Sequence, residues 1–292
     1  MTKPLPSPPL GVTVSGGFEP DEHDAAERRV QVERWNGAAR SLEQDSVAHE
    51  EPLEIQIEGV GIAVLMRTPG HDEELALGYL LSERAVEDAS QVISIRHSST
   101  AREPEADGNT IQVVLGPGVE RSIERFRRSG YASASCGVCG KATIAAALLE
   151  LSPLSSALSV SADGLRAMPF ALRSAQSAFD TTGGLHAAGL FTPKGELVLA
   201  REDVGRHNAV DKVLGAAARR RITPGEHVLF VSGRTSLEIV QKAAACGVPI
   251  VAAVSAPTSL AVRYAASLGV TLVGFVRGER LNVYAHAERV LG

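Results

Sequence analysis

Val228-Leu-Phe-Val231, Pro249-Ile-Val-Ala-Ala-Val254 and Thr271-Leu-Val-Gly-Phe-Val276 are the three runs whose reading decides the fold. Each is short, continuous and apolar, the pattern of a strand buried on both faces. Helix-patterned stretches at 235–246 and 258–268 separate them. Strand and helix in alternation predict an α/β fold with parallel strands joined by crossover helices.

The turns leaving these strands are rich in groups that can hold an anion. Ser232-Gly233-Arg234-Thr235-Ser236 follows the first strand, and Ser255-Ala-Pro-Thr258-Ser259 follows the second. Each opens a helix, so hydroxyls, backbone N–H groups and the Arg234 guanidinium are expected at one crevice, where open α/β sheets bind ligands. Ordinary N-capping by Ser and Thr explains either turn taken alone. Both together, with Phe275-Val276-Arg277-Gly278-Glu279-Arg280 at the end of the third strand, point to a phosphate-bearing ligand. None of these is a Walker A or G-x-G-x-x-G sequence, so spacing does not name that ligand.

Upstream, Thr181-Thr-Gly-Gly-Leu-His186 reads as a glycine turn entering a strand. Arg201-Glu-Asp203-Val-Gly-Arg206-His207-Asn-Ala-Val-Asp211-Lys212 reads as a helix start capped by Asp203, with His207 and Asp211 four apart on one face. So many charged and amide groups exceed what solubility asks of one helix, which suggests a pocket.

The first part of the chain has a different rhythm. Arg29–Trp35, Leu53–Glu58, Gly61–Met66 and Ile111–Leu115 alternate or run apolar like strands. Pro69-Gly-His-Asp-Glu-Glu74 and Leu75-Ala-Leu-Gly-Tyr-Leu-Leu81 form a helix signal with acids in the first turn. Residues 97–110 read as an exposed loop. The expected organisation is a tail over 1–28, a small α+β domain over 29–120, a connecting loop over 121–140 and the α/β domain over 141–292.

That connecting loop carries Tyr131-Ala-Ser-Ala-Ser-Cys136-Gly-Val-Cys139-Gly-Lys141, two thiols among small residues ahead of a helical pattern running to Glu150. A free thiol has a pKa near about 8.5, and a helix N-terminus with a nearby lysine favours the thiolate. Half of a zinc site is the competing reading, but a structural zinc needs four ligands. The third cysteine, Cys246, lies between a helix and a strand and reads as a small core residue. The eight histidines are scattered, so no metal site is expected. Three cysteines in 292 residues do not suggest a disulfide framework.

Composition narrows the classes further. A net charge of −5 and a pI near 5.9 argue against a general nucleic-acid binder. No apolar run approaches the roughly 20 residues of a membrane span, and the opening 28 residues lack the apolar core of a targeting sequence. Arg121, Arg125, Arg127 and Arg128 form the one basic cluster, a solvated helix face or a docking patch beside the cysteines.

Ser135-Cys-Gly-Val-Cys-Gly140, Thr182-Gly-Gly-Leu-His186, the segment Arg201–Lys212, Ser232-Gly-Arg-Thr-Ser236 and Phe275-Val-Arg-Gly278 together resemble the formate dehydrogenase accessory sulfurtransferase family, FdhD. The likeness runs in order from about residue 29 to 285. It implies a cytoplasmic, homodimeric sulfurtransferase that takes persulfide sulfur from a cysteine desulfurase. The sulfur would pass to the molybdenum cofactor, bis(molybdopterin guanine dinucleotide), of formate dehydrogenase. By the same resemblance Cys136 carries the persulfide, Phe275 to Arg280 contact the cofactor, and the C-terminal domain is similar to the cytidine-deaminase fold. Cys139, a second thiol able to discharge a persulfide, has no assigned role.

Two other classes stay open at this point. A zinc deaminase has H-x-E followed by P-C-x-x-C; His71-Asp-Glu73 precedes Cys136-Gly-Val-Cys139 here, but Ser135 stands in place of the proline. A non-catalytic chaperone for the same cofactor would use the cysteines only as contacts.

Overall fold

The computed structural model describes residues 26–98, 108–119, 132–133 and 149–292 of the 292-residue chain. Cys136, Cys139, Lys141, the four arginines at 121–128 and residues 1–25 lie outside the described residues. So does the helix signal from Lys141, apart from Leu149 and Glu150, which are irregular.

β1 (Glu27–Asn36) and β2 (Ala39–Ala48) pair in an antiparallel hairpin closed by the two-residue turn Gly37-Ala38, with Gly37 at φ +62°. Glycine suits the first central position of such a turn because it adopts positive φ without strain. β2 was not read from the sequence: Ala-Arg-Ser-Leu-Glu-Gln-Asp-Ser-Val-Ala faces solvent along most of its length and carries no alternation.

β3 (Glu51–Ile57), β4 (Val60–Arg67), α1 (Asp72–Ser82), β5 (Val92–His97), β6 (Thr110–Leu115) and β7 (Ala132–Ser133) follow. The strands form a sheet of order β5-β6-β3-β4-β7. Leu53, Ile55 and Ile57 of β3 and Ile111 and Val113 of β6 point to one face and bury Leu75, Ala76, Tyr79 and Leu80 of α1. The period of two in the strands and the apolar run of the helix thus meet in one core. Two expectations are corrected. His97 and Thr110 belong to strands rather than to a loop, and Asn109 between them is buried because its amide oxygen accepts from Arg67. Ala132 and Ser133, read as loop, form a short parallel edge strand on Ala63 and Val64.

The remainder runs β8 (Val160–Ser161), α2 (Ala162–Ser174), α3 (Ser177–Thr182), β9 (His186–Phe191), β10 (Leu197–Asp203), α4 (Arg206–Arg219), β11 (Val228–Val231), α5 (Leu237–Ala245), β12 (Ile250–Ala253), α6 (Ser259–Leu268), β13 (Thr271–Arg277), β14 (Arg280–Ala285) and β15 (Val290–Leu291). Its six-stranded sheet has the order β10-β9-β11-β12-β13-β14. The three runs that decide the fold are its centre: β11, β12 and β13 are parallel, with α5 and α6 as crossovers. The flanks are antiparallel, so the sheet is mixed rather than wholly parallel. One face packs on α4, α5 and α6 through Val210, Val213, Ile239, Val240 and Ala265. The other packs on α2 through Leu165, Met168 and Leu172, with Phe191 and Phe230 edge to face at 5.9 Å.

The two sheets are joined through helices that touch backbone to backbone. A Cβ on Gly78 of α1 would stand 1.8 Å from the Asp211 carbonyl oxygen, and one on Gly215 of α4 would stand 1.9 Å from that of Glu74. No side chain fits at either position, so glycine is obligatory here for space rather than for φ.

Candidate functional site at the carboxyl edge of the central sheet

The carboxyl ends of β11, β12 and β13 meet the start of β9 and the end of β10 on one edge. Two loops there are fastened together. Thr235 N donates to Ala256 O at 3.2 Å and Thr258 N to Thr235 O at 3.0 Å, making a short parallel bridge between 232–236 and 255–259. The expected convergence of the two turns is therefore present.

Several residues read as ligand contacts also have structural duties. Ser232 Oγ accepts from Ala187 N at 2.9 Å, extending the β9–β11 pairing. Thr258 caps α6, its side chain accepting from Ala261 N at 3.2 Å. Val276 is fully buried in the core beneath α2. Asp203 does not cap α4, whose N-cap is Gly205. It is fully buried, pairs with Lys212 Nζ at 2.7 Å, and accepts from Thr68 N, Gly205 N and Asn208 Nδ2. Lys212 Nζ also donates to Thr68 O at 2.7 Å, so Asp203, Asn208 and Lys212 tie β10 and α4 to the loop after β4. A carboxylate with every lone pair engaged and no exposure holds parts together and takes no ligand.

What remains forms one cationic cluster. A Cβ on Gly233 would lie 3.3 Å from His186 Nδ1 and 3.7 Å from Arg206 Cδ, so the bare loop lets both side chains close over it. His207 Nε2 lies 2.8 Å from Glu238 Oε2 and 3.2 Å from Ser236 Oγ. Ser236 thus opens α5 without capping it, its hydroxyl being turned to His207. Arg234 is exposed above them. Burial first, then the charges of Arg206 and His207, hold His186 below the usual histidine range; Asp203 pulls the other way and Arg234 adds to the lowering. Arg206 Nε and Thr235 Oγ1 are buried and meet no partner among the described residues.

The third strand adds an aromatic edge. Phe275 has φ +53°, unusual for a residue with a side chain, and sits in a bulge of β13. Its backbone N donates to Ser255 O at 3.1 Å, which turns the ring outward to 37% exposure beside the 255–259 loop. Arg277 Nε donates to Val254 O at 2.9 Å and is exposed, as are Gly278, Glu279 and Arg280. The fold thus places Phe275, Ser255, Arg277, Arg234, Ser236, His186, Arg206 and His207 on one edge of the sheet.

Glu238 is the member the sequence did not flag. It is an acid in the first turn of a helix, the commonest place for one, and gives no signal of its own. His207 and Asp211 share a face toward α5 but do not meet: Asp211, one turn further along, engages Lys242 Nζ at 2.8 Å and Ser82 Oγ at 2.7 Å, whereas His207 engages Glu238. Cys246 is pushed by burial up to about 12 and remains a neutral thiol, as expected of a core position. His71 and Glu73, the H-x-E of a deaminase, are engaged locally with Glu74 and Arg219. Among the described residues no group of three or more His, Cys, Asp or Glu is placed to hold a metal.

Comparison with known proteins gives consistent matches. The model of the FdhD/NarQ family matches residues 48–291. The chain is 47% identical over 253 residues to the sulfur carrier protein FdhD of Mycobacterium tuberculosis, covering 84% of this chain and 92% of that one. It is 46% identical over 272 residues to the protein of the same name from Streptomyces coelicolor, covering 90% and 95%. A crystal structure of a protein assigned as a formate dehydrogenase accessory protein from Desulfotalea psychrophila superposes with a TM-score of 0.71. It covers 91% of this chain and all of that one at 24% identity, a likeness of fold.

Proposed function

The chain belongs to the FdhD/NarQ family, and from this premise we propose that it is a sulfur carrier in the maturation of formate dehydrogenase. It accepts sulfur on Cys136 from the persulfide of a cysteine desulfurase and hands it to the bis(molybdopterin guanine dinucleotide) cofactor bound at the carboxyl edge. In loading, the Cys136 thiolate attacks the terminal sulfur of the donor persulfide. A new S–S bond forms on Cys136, the donor's S–S bond breaks, and the donor cysteine leaves as thiolate. Cys139 stands three residues away, and its own part in loading or discharge is open to the same assay.

The observation that supports the acceptor side is the cluster of arginines and histidines. Arg206, Arg234, His186 and His207 share one edge, with Arg206 Nε and Thr235 Oγ1 buried and without a partner among the described residues. Buried polar groups without partners are uncommon in native proteins, and a phosphate oxygen would satisfy the Arg206 guanidinium, which is only partly buried. Phe275, held outward by its bulge, offers a face on which a purine can stack. The donor side is supported by chain geometry. β7 ends at Ser133 and runs parallel to β4, whose last residue precedes Thr68 at the seam. Cys136 is three residues further on, at most about 10 Å of extended chain.

No helix of the described residues is long and apolar enough to cross a membrane. In this reading the protein works in the cytoplasm as a homodimer, with the desulfurase and formate dehydrogenase as partners. The test is intact-mass measurement after incubation with a desulfurase and cysteine. Wild type and Cys246→Ala gain about 32 Da, one sulfur atom, and Cys136→Ala does not. Loading that persists in Cys136→Ala overturns the assignment; full support of formate dehydrogenase by that variant would favour a cofactor chaperone instead.

A further inference from the structure

Two apolar surfaces of this chain have no partner among the described residues. The first is the tip of the β1–β2 hairpin. These ten-residue strands pair with each other and with no third strand among the described residues. The ribbon is about 33 Å long at roughly 3.3 Å per residue. Among the described residues its base is supported by Ala48 against Gly184 beside α3. A two-stranded ribbon is marginal alone in water, yet this one ends in Trp35 at 63% and Leu42 at 71% exposure. The register pairs Trp35 with Arg40 and Glu33 with Leu42, so both apolar side chains lie on one face as diagonal neighbours. Arg40 stacks over the indole at 5.8 Å.

The second surface is a groove of roughly 1010 Å³ between α1, β5 and α4, at the amino ends of β11 and β12 and so opposite the cationic cluster. Leu77, Leu81, Ile93, Ile95, Ile222 and Cys246 line it. Ile93 is 64% exposed on β5, the open edge strand of its sheet. Pockets that enclose a drug-sized molecule measure about 300–1,000 Å³, so an indole and a leucine side chain fit here together. The rim carries Glu87 and Asp88, opposite in sign to Arg34 and Arg40 at the tip, and Arg96 and Arg221, opposite to Glu33 and Glu43 of the ribbon.

We propose that the hairpin is an exchange arm: the Trp35–Leu42 tip of one protomer seats in the Ile93 groove of a second copy. The proposal rests on the homodimeric reading above and adds the surface that makes it. A chain carrying an apolar projection and, elsewhere, a groove that receives it closes into a dimer when two copies trade arms about a twofold axis. Tryptophan is the residue most enriched among those that dominate interface energy.

The test is the mass of the full-length chain by light scattering across a dilution series. Wild type is a dimer; Trp35→Ala/Leu42→Ala and Ile93→Arg, all at exposed positions, each weaken the dimer at least tenfold. Mixing the two variants restores a mixed dimer, because one intact arm still meets one intact groove. A monomeric wild type overturns the dimer reading and this proposal with it. A dimer that survives the tip variant, or variants that fail to complement, overturns the arm alone and leaves the dimer to another face.

Discussion

α4 carries two polar clusters of opposite character, and the contrast shows what the crowding of charge at 201–212 means. In its middle, Asp211 meets Lys242 Nζ at 2.8 and 3.0 Å, Ser82 Oγ at 2.7 Å and, through Lys242, Glu83 at 3.0 Å. Asp211, Lys242 and Ser82 are buried and satisfied. At its start, Arg206 lies beside His186, and among the described residues Arg206 Nε and the nearby Thr235 Oγ1 have no partner, while His207 pairs with Glu238. Charged residues at neighbouring turns of one helix hold the two sheets together in one case and, in the function proposed above, meet an anion in the other. A satisfied buried network specifies structure, whereas an unsatisfied one marks a site.

The comparison breaks most sharply if the seam can be loosened at no cost. Gly215→Ala would put a Cβ 1.9 Å from the Glu74 carbonyl oxygen, a clash between two helix backbones that no rotamer relieves. The helices must part, and the loss should exceed about 3 kcal/mol, beyond the usual range for a single substitution. Urea unfolding monitored by circular dichroism measures it. A change below about 1 kcal/mol would mean that the contact is not held in solution.

The middle cluster is tested next. Lys242→Met strands the Asp211 carboxylate in the core and should cost about 3–5 kcal/mol, with Asp211→Leu/Lys242→Met recovering much of it. Guanine nucleotide affinity should stay within about twofold of wild type in the double variant, because these side chains are buried one turn away from His207 and Glu238 and have partners of their own. A large affinity loss at unchanged stability would erase the distinction between the two clusters.

How much of this was legible follows the same line. The three apolar runs and the two loops after them were readable because continuous burial and helix-opening turns leave local signals. The division of 201–212 was not, because Asp203, Asp211 and Lys212 differ from Arg206 and His207 only in what stands opposite. Those partners lie more than a hundred residues away at Thr68 and Ser82, or on α5. Asp203 was misassigned as a cap for that reason: its burial is set by the loop after β4. β5 escaped notice because a six-residue edge strand ending in Arg96-His97 reads as the start of a polar loop.

At the start of the helix, Arg206→Ala should weaken binding of guanosine diphosphate, the terminal moiety of the proposed acceptor, by about 1.5–3 kcal/mol, as for a hydrogen bond to a charged group. Arg234→Ala should lose less, since that side chain is exposed and screened. Neither should alter sulfur loading of Cys136. Calorimetry ranks the two variants, and a larger loss at Arg234 would move the phosphate outward, toward Phe275 and Arg277.

The smallest effect is a pH dependence set by His186. Burial and then the Arg206 charge hold its folded pKa below the usual 6.5, so it is neutral in the free protein near pH 7. Its unfolded counterpart takes up a proton as pH falls through 6.5, so this histidine favours folding above that value and its contribution is lost as pH falls toward the folded pKa. A bound phosphate works in the opposite sense, because a negative charge beside His186 raises its pKa. Binding then takes up a proton, and affinity must rise as pH falls through the window between the free and bound values. Calorimetry in buffers of different ionisation enthalpy at mildly acid pH should show proton uptake of less than one per site. The gain in affinity should stay within about tenfold and flatten in His186→Gln. Proton release, or a slope that survives this substitution, would place the anion away from His186 and leave Arg206 and Arg234 as the groups that meet it.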